Sequence, residues 1–441
     1  MHIGSTPPNS GQQKLAQGGR LIMPGKRPTG LSRRAILAGA ATAAVTGFPH
    51  ISRAQAMQPI KIGMPTILSG PYTVIGETCR AATQLALDTF NAAGGLNGRK
   101  VELIVRDDKA KPDEAARVIR EFINSDRVDV IIAASSTAGA FAIQEVVRET
   151  GHLCIHTVSE TSTLTADPKI RAPNSFRVCR QGVQDSIAAA QVAATLIRTK
   201  NLKRWMTVCQ DFAYGRSIQA QFTGFLKQME PSVEIIATAW PKFQAPDYTD
   251  TVTHILSAKP DVIYCSLGGG EIVSFIDQAR LYAVFDRSQL FTPNLADVST
   301  LKQIKNLPKN SYTGSRYVPN YPNTPANAAW AEAMQTKGKV TPSNWSWQTA
   351  AGTEFLLAAM RQTNSIDSKV LSEALRGMTI DSPFGAKGKI TMRAEDQTII
   401  DYAIGWGIAL PGPPYMQDVQ DADWKTIVQY ETEWKKSQGF I

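Results

Sequence analysis

Six short segments of this chain carry the side chains best suited to hold a small polar molecule. They are 68–76, 135–139, 159–163, 211–215, 267–271 and 293–297, rich in Gly, Ser, Thr, Tyr and acids. Ser135-Ser136-Thr137 closes an apolar run and opens an amphipathic one, so hydroxyls meet the free amides of a helix N-terminus. That pairing suits a carboxylate, although ordinary helix capping uses the same residue types. Tyr214 offers an aromatic face with a hydroxyl tip, fit for a half-polar ligand or for packing on Phe212. Gly268-Gly269-Gly270-Glu271 has the composition of a phosphate cradle but neither the GxGxxG nor the GxxxxGK[ST] spacing. Glu271 can reach a cation or simply answer the dipole of its own helix.

Catalytic patterns are missing. The sequence has no HExxH and no GxSxG, and beyond residue 56 its histidines are His152, His156 and His254, each on a strand or helix pattern. The five cysteines, Cys79, Cys154, Cys179, Cys209 and Cys265, include no CxxC. An odd number leaves at least one thiol free, and Cys154, Cys209 and Cys265 fall in apolar runs where thiols are inert. We therefore expect a binding protein and not an enzyme, with no cofactor and no metal. An exported hydrolase is the alternative from another class.

The segments sit between regular elements. Strand-like runs at 60–64, 101–106, 128–134 and 153–157 alternate with helical patterns, and the alternation restarts at 185–199 and continues to a strand at 289–292. Helices follow at 326–337, 345–362 and 369–376, then strands over 390–409. Two successive sets of βα units predict two doubly wound α/β lobes. Each candidate segment follows a strand, where open parallel sheets bind ligands.

The N-terminus reads as an export address. Ser32-Arg33-Arg34-Ala35-Ile36-Leu37 is a twin-arginine pattern, followed by an apolar run to Phe48 and by Ala54-Gln55-Ala56. Cleavage is expected after Ala56, leaving a mature chain from Met57 in the periplasm. The formal charge of +9 is concentrated there: residues 1–56 hold seven Lys/Arg and no acid, leaving 40 basic against 38 acidic residues elsewhere. Nucleic acid is thus not an expected partner.

Leu68-Ser69-Gly70-Pro71-Tyr72, the run Asn91-Ala92-Ala93-Gly94-Gly95-Leu96-Asn97-Gly98-Arg99-Lys100-Val101, Arg106-Asp107-Asp108, Ala213-Tyr214-Gly215, and Glu271 with Gln278-Ala279 occur in order. Together they resemble the periplasmic binding proteins of branched-chain amino acid ABC transporters, over nearly the whole mature chain. The resemblance implies two Rossmann-like lobes joined by three crossings, expected near 178–181, 312–316 and 380–385. Lobe one would hold 57–179 and 315–380, and lobe two 180–314 and the return 381–441. It implies hinge closure on a small amino acid, carboxylate or amide, a monomer, and delivery to a permease in the inner membrane. The sensing module of a signalling receptor is the other use of such a fold.

The resemblance also places a site. Ser136 and Thr137 fall where the ligand carboxylate is gripped, Ser159, Glu160 and Thr161 on the next contact loop, and Tyr214 on the tyrosine facing the ligand from the other lobe. Tyr72 belongs to the first motif. Glu160 departs from the usual small residue; it would meet a cationic group or point to solvent. Gly268 replaces a common aromatic residue and implies a larger pocket; Ile75 replaces an aromatic wall. Asn294 stands where an acid pairs with the ligand ammonium, so Asp297 or Glu271 must substitute, or the ligand lacks an α-amino group. Trp345 and Trp347 start a helix that would line the cleft or pack inward.

Overall fold

The computed structural model describes residues 58–70 and 72–441. The predicted signal sequence and the start at Met57 lie outside the described residues.

The first half alternates strand and helix: β1 (Ile60–Thr66), α1 (Thr73–Ala92), β2 (Val101–Asp107), α2 (Pro112–Glu121), β3 (Val130–Ala133), α3 (Thr137–Thr150), β4 (Cys154–His156), α4 (Thr163–Ala166) and β5 (Ser175–Arg177). These strands form one parallel sheet in the order β2-β1-β3-β4-β5. Local chemistry sets the ends. Pro112 opens α2 with Asp113 and Glu114 in the first turn and Arg120 in the last, matching the helix dipole. Gly151 ends α3 in the left-handed region at φ 75°. Alternation along β3 and β4 sends Val130, Ile132 and Ile155 to one face and Ile131 and Cys154 to the other, each joining a separate core cluster.

A second set follows: α5 (Gly182–Lys200), β6 (Arg204–Val208), α6 (Ala213–Met229), β7 (Glu234–Ala239), α7 (Thr249–Ala258), β8 (Val262–Cys265), α8 (Gly270–Leu281), β9 (Gln289–Asp297), α9 (Val298–Leu301) and β10 (Tyr312–Tyr317). Trp205, Tyr264 and Phe291 pack with Phe222 on one face of this sheet, and Met206, Ile263 and Leu290 with Val252 and Phe275 on the other. The chain then forms α10 (Pro325–Thr336), α11 (Asn344–Thr363) and α12 (Ser368–Leu375), with α11 lying along α1. It closes with β11 (Thr379–Asp381), β12 (Lys389–Met392), β13 (Ile399–Ile400), β14 (Gly405–Ala409), β15 (Met416–Asp421) and α13 (Trp424–Ser437). The second sheet has the order β15-β14-β10-β9-β8-β6-β7, with β14 and β15 antiparallel additions.

Two details differ from the sequence reading. Residues 293–297 are not a loop but the end of β9, irregularly registered against β10. Pro293 brings no N–H to the ladder, and the Thr292 hydroxyl accepts the Asn294 N–H instead at 3.1 Å. The third passage between sheets also comes later than 380–385. Segment 379–385 is bound into a small antiparallel sheet, β11-β12-β13, whose Thr398 bridges to Arg177 of the first sheet. The chain reaches the second sheet again only at β14, where the Gly405 N–H meets the Ser315 hydroxyl at 3.0 Å. Strand β15 and helix α13 were not foreseen.

The passages are laced by buried polar groups. Arg180 pairs with Asp185 at 2.5 Å and donates to the Ser315 carbonyl at 2.9 Å. Arg316 also donates to Asp185, at 3.2 Å. The Tyr402 hydroxyl accepts from the Gln181 N–H at 3.2 Å and donates to Gln184 Oε1 at 2.8 Å.

Candidate functional site

Between the carboxyl ends of the two sheets lies a cavity of about 380 Å³. One wall comes from the first set of elements. After β3 the chain turns at Ser136, whose Oγ accepts from the Gly139 N–H at 3.2 Å and caps α3. The amides of Thr137 and Ala138 open the helix and have no intrahelical partner. Ser136, Thr137 and Ala138 all line the cavity, so the helix end presents donors and the positive pole of its dipole to that space. Ile67, Ile75, Ala110 and Val158 make the rest of this wall apolar.

The opposite wall comes from the second set. Tyr214 enters at the start of α6, in the turn Ala213-Tyr214-Gly215. A Cβ at Gly215 would lie 2.0 Å from the Gln210 carbonyl, so only glycine lets α6 press on that turn and aim Tyr214 inward. The Tyr214 ring lies 6.0 Å from Phe212, so it packs there and still faces the cavity. A Cβ at Gly268 would point toward Asn294, 3.6 Å from its amide nitrogen, so any side chain there would fill the space before Asn294. Asn294 Nδ2 donates to the Ser266 carbonyl at 2.6 Å, which turns Oδ1 away and leaves it without a protein partner.

At one end sits a charged cluster. Glu160 pairs with Arg316, and Asn344 Nδ2 donates to the same carboxylate at 3.0 Å. Glu160 therefore neither points to solvent nor waits for a ligand cation; Arg316 occupies it. Asp297 is likewise engaged. One oxygen accepts the Ser299 N–H at 2.9 Å and the other the Asn344 N–H at 2.5 Å, so it caps α9 and α11. Burial pushes its carboxyl above the usual range. Glu271 accepts from the Tyr72 hydroxyl at 3.2 Å, from Gln210 Nε2 at 2.8 Å and from the Gln244 N–H at 2.8 Å. Neither acid is a free substitute for the missing ammonium partner.

Of the residues expected from sequence, Tyr72, Ser136, Thr137, Glu160, Tyr214, Gly268, Glu271, Asn294 and Asp297 line this cavity. Ser159 and Thr161 do not. The Ser159 carbonyl accepts the Cys179 thiol, and the Thr161 hydroxyl bonds Thr163, because alternate residues of this loop face the core and the adjacent turn. Trp345 reaches the cavity, whereas Trp347 packs on Phe384 and Tyr402 and donates to the Arg316 carbonyl at 3.2 Å. The sequence reading missed Arg316, Asn344, Gln210 and Phe243 as wall residues. Three of these follow strands or end them: Gln210 after β6, Phe243 after β7, Arg316 on β10. The strand-end rule applied to every strand would have found them.

Comparison with known proteins places this geometry in context. A family model described as periplasmic binding protein matches residues 59–404. The Leu/Ile/Val-binding protein of Escherichia coli (strain K12) is 23% identical over 357 residues, covering 80% of this chain and 90% of that protein. A solute-binding protein from Rhodopseudomonas palustris BisB5, solved with 3,4-dihydroxybenzoic acid, superposes with a TM-score of 0.74 at 22% identity, covering 82% of this chain and 98% of that one. A second R. palustris solute-binding protein, solved with benzoate, gives a TM-score of 0.70 at 21% identity, covering 82% and 95%. At these identities the superpositions speak for the fold.

Proposed function

The chain belongs to the periplasmic binding protein family, and on that premise we propose that it is the solute-binding component of an ABC importer. It closes two lobes on a small carboxylate with an apolar body and a neutral hydrogen-bond donor at its far end. Exported through the twin-arginine pattern and cleaved after Ala56, it works as a periplasmic monomer and hands its ligand to an inner-membrane permease. The moving bodies are those built on the first and second sheets.

One observation carries the ligand class. The Tyr214 hydroxyl, beside the Asn294 amide, and the Oδ1 atoms of Asn294 and Asn344 are buried in the wall of one cavity and make no well-formed hydrogen bond to protein among the described residues. The amide nitrogens of both asparagines are already committed, to Ser266 and Glu160, which fixes their oxygens as acceptors. An unpaired buried polar group costs about 1–3 kcal/mol, which a ligand donor recovers. The donors of the α3 N-terminus suit a carboxylate, and Phe212, Phe243 and Trp345 suit an apolar or aromatic body. A free amino acid fits less well, since Asn294 brings no charge and Asp297 and Glu271 are engaged. The dihydroxybenzoate bound by one R. palustris protein has the carboxylate, the apolar body and the far donors, and the benzoate bound by the other has the first two.

Closure is driven by the difference in contact energy between the open and closed states. A thermal-shift screen of hydroxylated aromatic acids, aliphatic carboxylates, amides, short ureas and amino acids tests the reading. Hydroxylated carboxylates are expected to raise the midpoint most, because stabilisation follows ligand concentration over dissociation constant. A rise confined to amino acids would overturn the ligand class and leave the importer role standing.

A further inference from the structure

A second cavity, of about 780 Å³, lies away from the cleft between α1, α10 and α11. Buried Ala82, Phe90, Ala350 and Leu357 form its floor, and the partly buried Trp330 stands in its wall. The partly buried Glu354 of α11 reaches into this largely apolar space. Burial is the one influence on its carboxyl and pushes it up to about 7, with no hydrogen bond or opposite charge to offset it.

The other charged groups around the cavity are Lys337, Arg361 and Asp381. The Arg361 guanidinium lies 4.6 Å over the Phe90 ring. Asp381 is bonded to Lys389 at 2.6 Å. Lys337 stands at the carboxyl end of α10, where it answers that helix's dipole. From α1 the lining residues are all uncharged. Glu354 is thus the acid of this lining with no basic partner, while Asp381 has Lys389.

We propose that this cavity is a second ligand site, for a small organic cation with an apolar body whose ammonium pairs with Glu354 against the Trp330 ring. An indole face attracts a cation, most strongly where water is excluded. A hard metal ion is poorly served, since it needs six or more oxygens and Glu354 supplies two. An organic anion would meet the repulsion of the Glu354 carboxylate. The proposal does not rest on the ligand of the cleft.

Calorimetric titration with 2-phenylethylammonium tests it, with 3-phenylpropionate as a probe of similar shape and opposite charge. The amine is expected to bind at pH 8, at least ten-fold more weakly at pH 5.5, and at least ten-fold more weakly to Glu354→Gln at pH 8. Ala329→Phe, which places a ring in the cavity from α10, is expected to block it. Tyr214→Ala, which alters the cleft, is expected to leave it unchanged. No amine binding at millimolar concentration, equal binding by Glu354→Gln, tighter binding of the propionate, or loss with Tyr214→Ala would each overturn the proposal.

Discussion

The Tyr72 hydroxyl donates to the Glu271 carboxylate at 3.2 Å, joining residues 199 positions apart that come from opposite walls of the cleft. The same phenol ring stacks on Phe243, with centroids 5.6 Å apart and planes 6° from parallel. Phe243 in turn lies 4.5 Å from Phe212. Tyr72 and Glu271 thus form a clasp over the cavity, and this conformation is one in which the walls already touch.

Tyr72→Phe keeps the stack and removes the hydrogen bond. A hydrogen bond to a carboxylate contributes about 1.5–3 kcal/mol, less at a partly exposed rim. We expect ligand to dissociate about five-fold faster, roughly 1 kcal/mol, with little change in association. Stopped-flow release of bound ligand measures this; an unchanged off-rate would show that the clasp does not hold the closed state.

Arg316 neutralises two buried carboxylates, Glu160 and Asp185. Arg316→Met strands Glu160 and leaves Asp185 with Arg180 alone. Removing one partner of a buried pair costs about 3–5 kcal/mol, so the urea midpoint should fall sharply while Arg316→Lys falls less. A loss under about 1 kcal/mol would mean that water reaches the cluster.

Asn294→Asp replaces a donor with an acceptor opposite the Ser266 carbonyl, now 2.6 Å from Nδ2. Stability should drop, and carboxylate ligands should bind at least ten-fold more weakly, a loss of about 1.4 kcal/mol. Amine-bearing ligands should lose less or gain. If the ranking of ligands by calorimetry stayed the same, Asn294 would not be reading the far end of the ligand.

Glu354 makes stability depend on pH. Its folded-state carboxyl titrates near 7, above the unfolded value, so the folded chain holds the extra proton. Its contribution is complete below the unfolded value and is lost as pH rises through about 7. Glu354→Gln should therefore stabilise the fold at pH 8 relative to the parent by on the order of 1–3 kcal/mol, read as a higher thermal midpoint, and change the midpoint little at pH 4. A gain that was equal at both pH values would point to packing and not to charge.

All five cysteines are buried and free. Burial pushes Cys79, Cys179 and Cys209 up to about 12, and Cys154 and Cys265 higher still. Since the thiolate is the nucleophile, the folded protein should resist a disulfide reagent at pH 8 and react at five sites only once denatured. Rapid labelling in buffer would contradict this.

The alternation of apolar runs made the parallel strands of both sheets legible, because a strand buried on both faces leaves a continuous apolar signature, as 130–133 does. The α3 N-terminus and Tyr214 were legible for a related reason: strand-end position and residue type are both local. Partnerships across the cleft were not. Nothing local distinguishes a Glu160 that meets Arg316 from one that meets solvent, and the two lie 156 residues apart. The engagement of Asp297 was hidden in the same way, since its partner is the Asn344 amide on a distant helix. The antiparallel strand β15 escaped because exposed residues interrupt its pattern over Met416–Asp421, whereas β14 lies inside the strand region expected over 390–409.

The most direct test of the ligand reading is calorimetric titration of the mature protein with 4-hydroxybenzoate, benzoate and leucine under one set of conditions. The unpartnered Tyr214, Asn294 and Asn344 atoms predict that the hydroxylated acid binds tighter than benzoate, and both tighter than leucine. Leucine binding tightest, or a hydroxyl that weakens binding, would contradict the account.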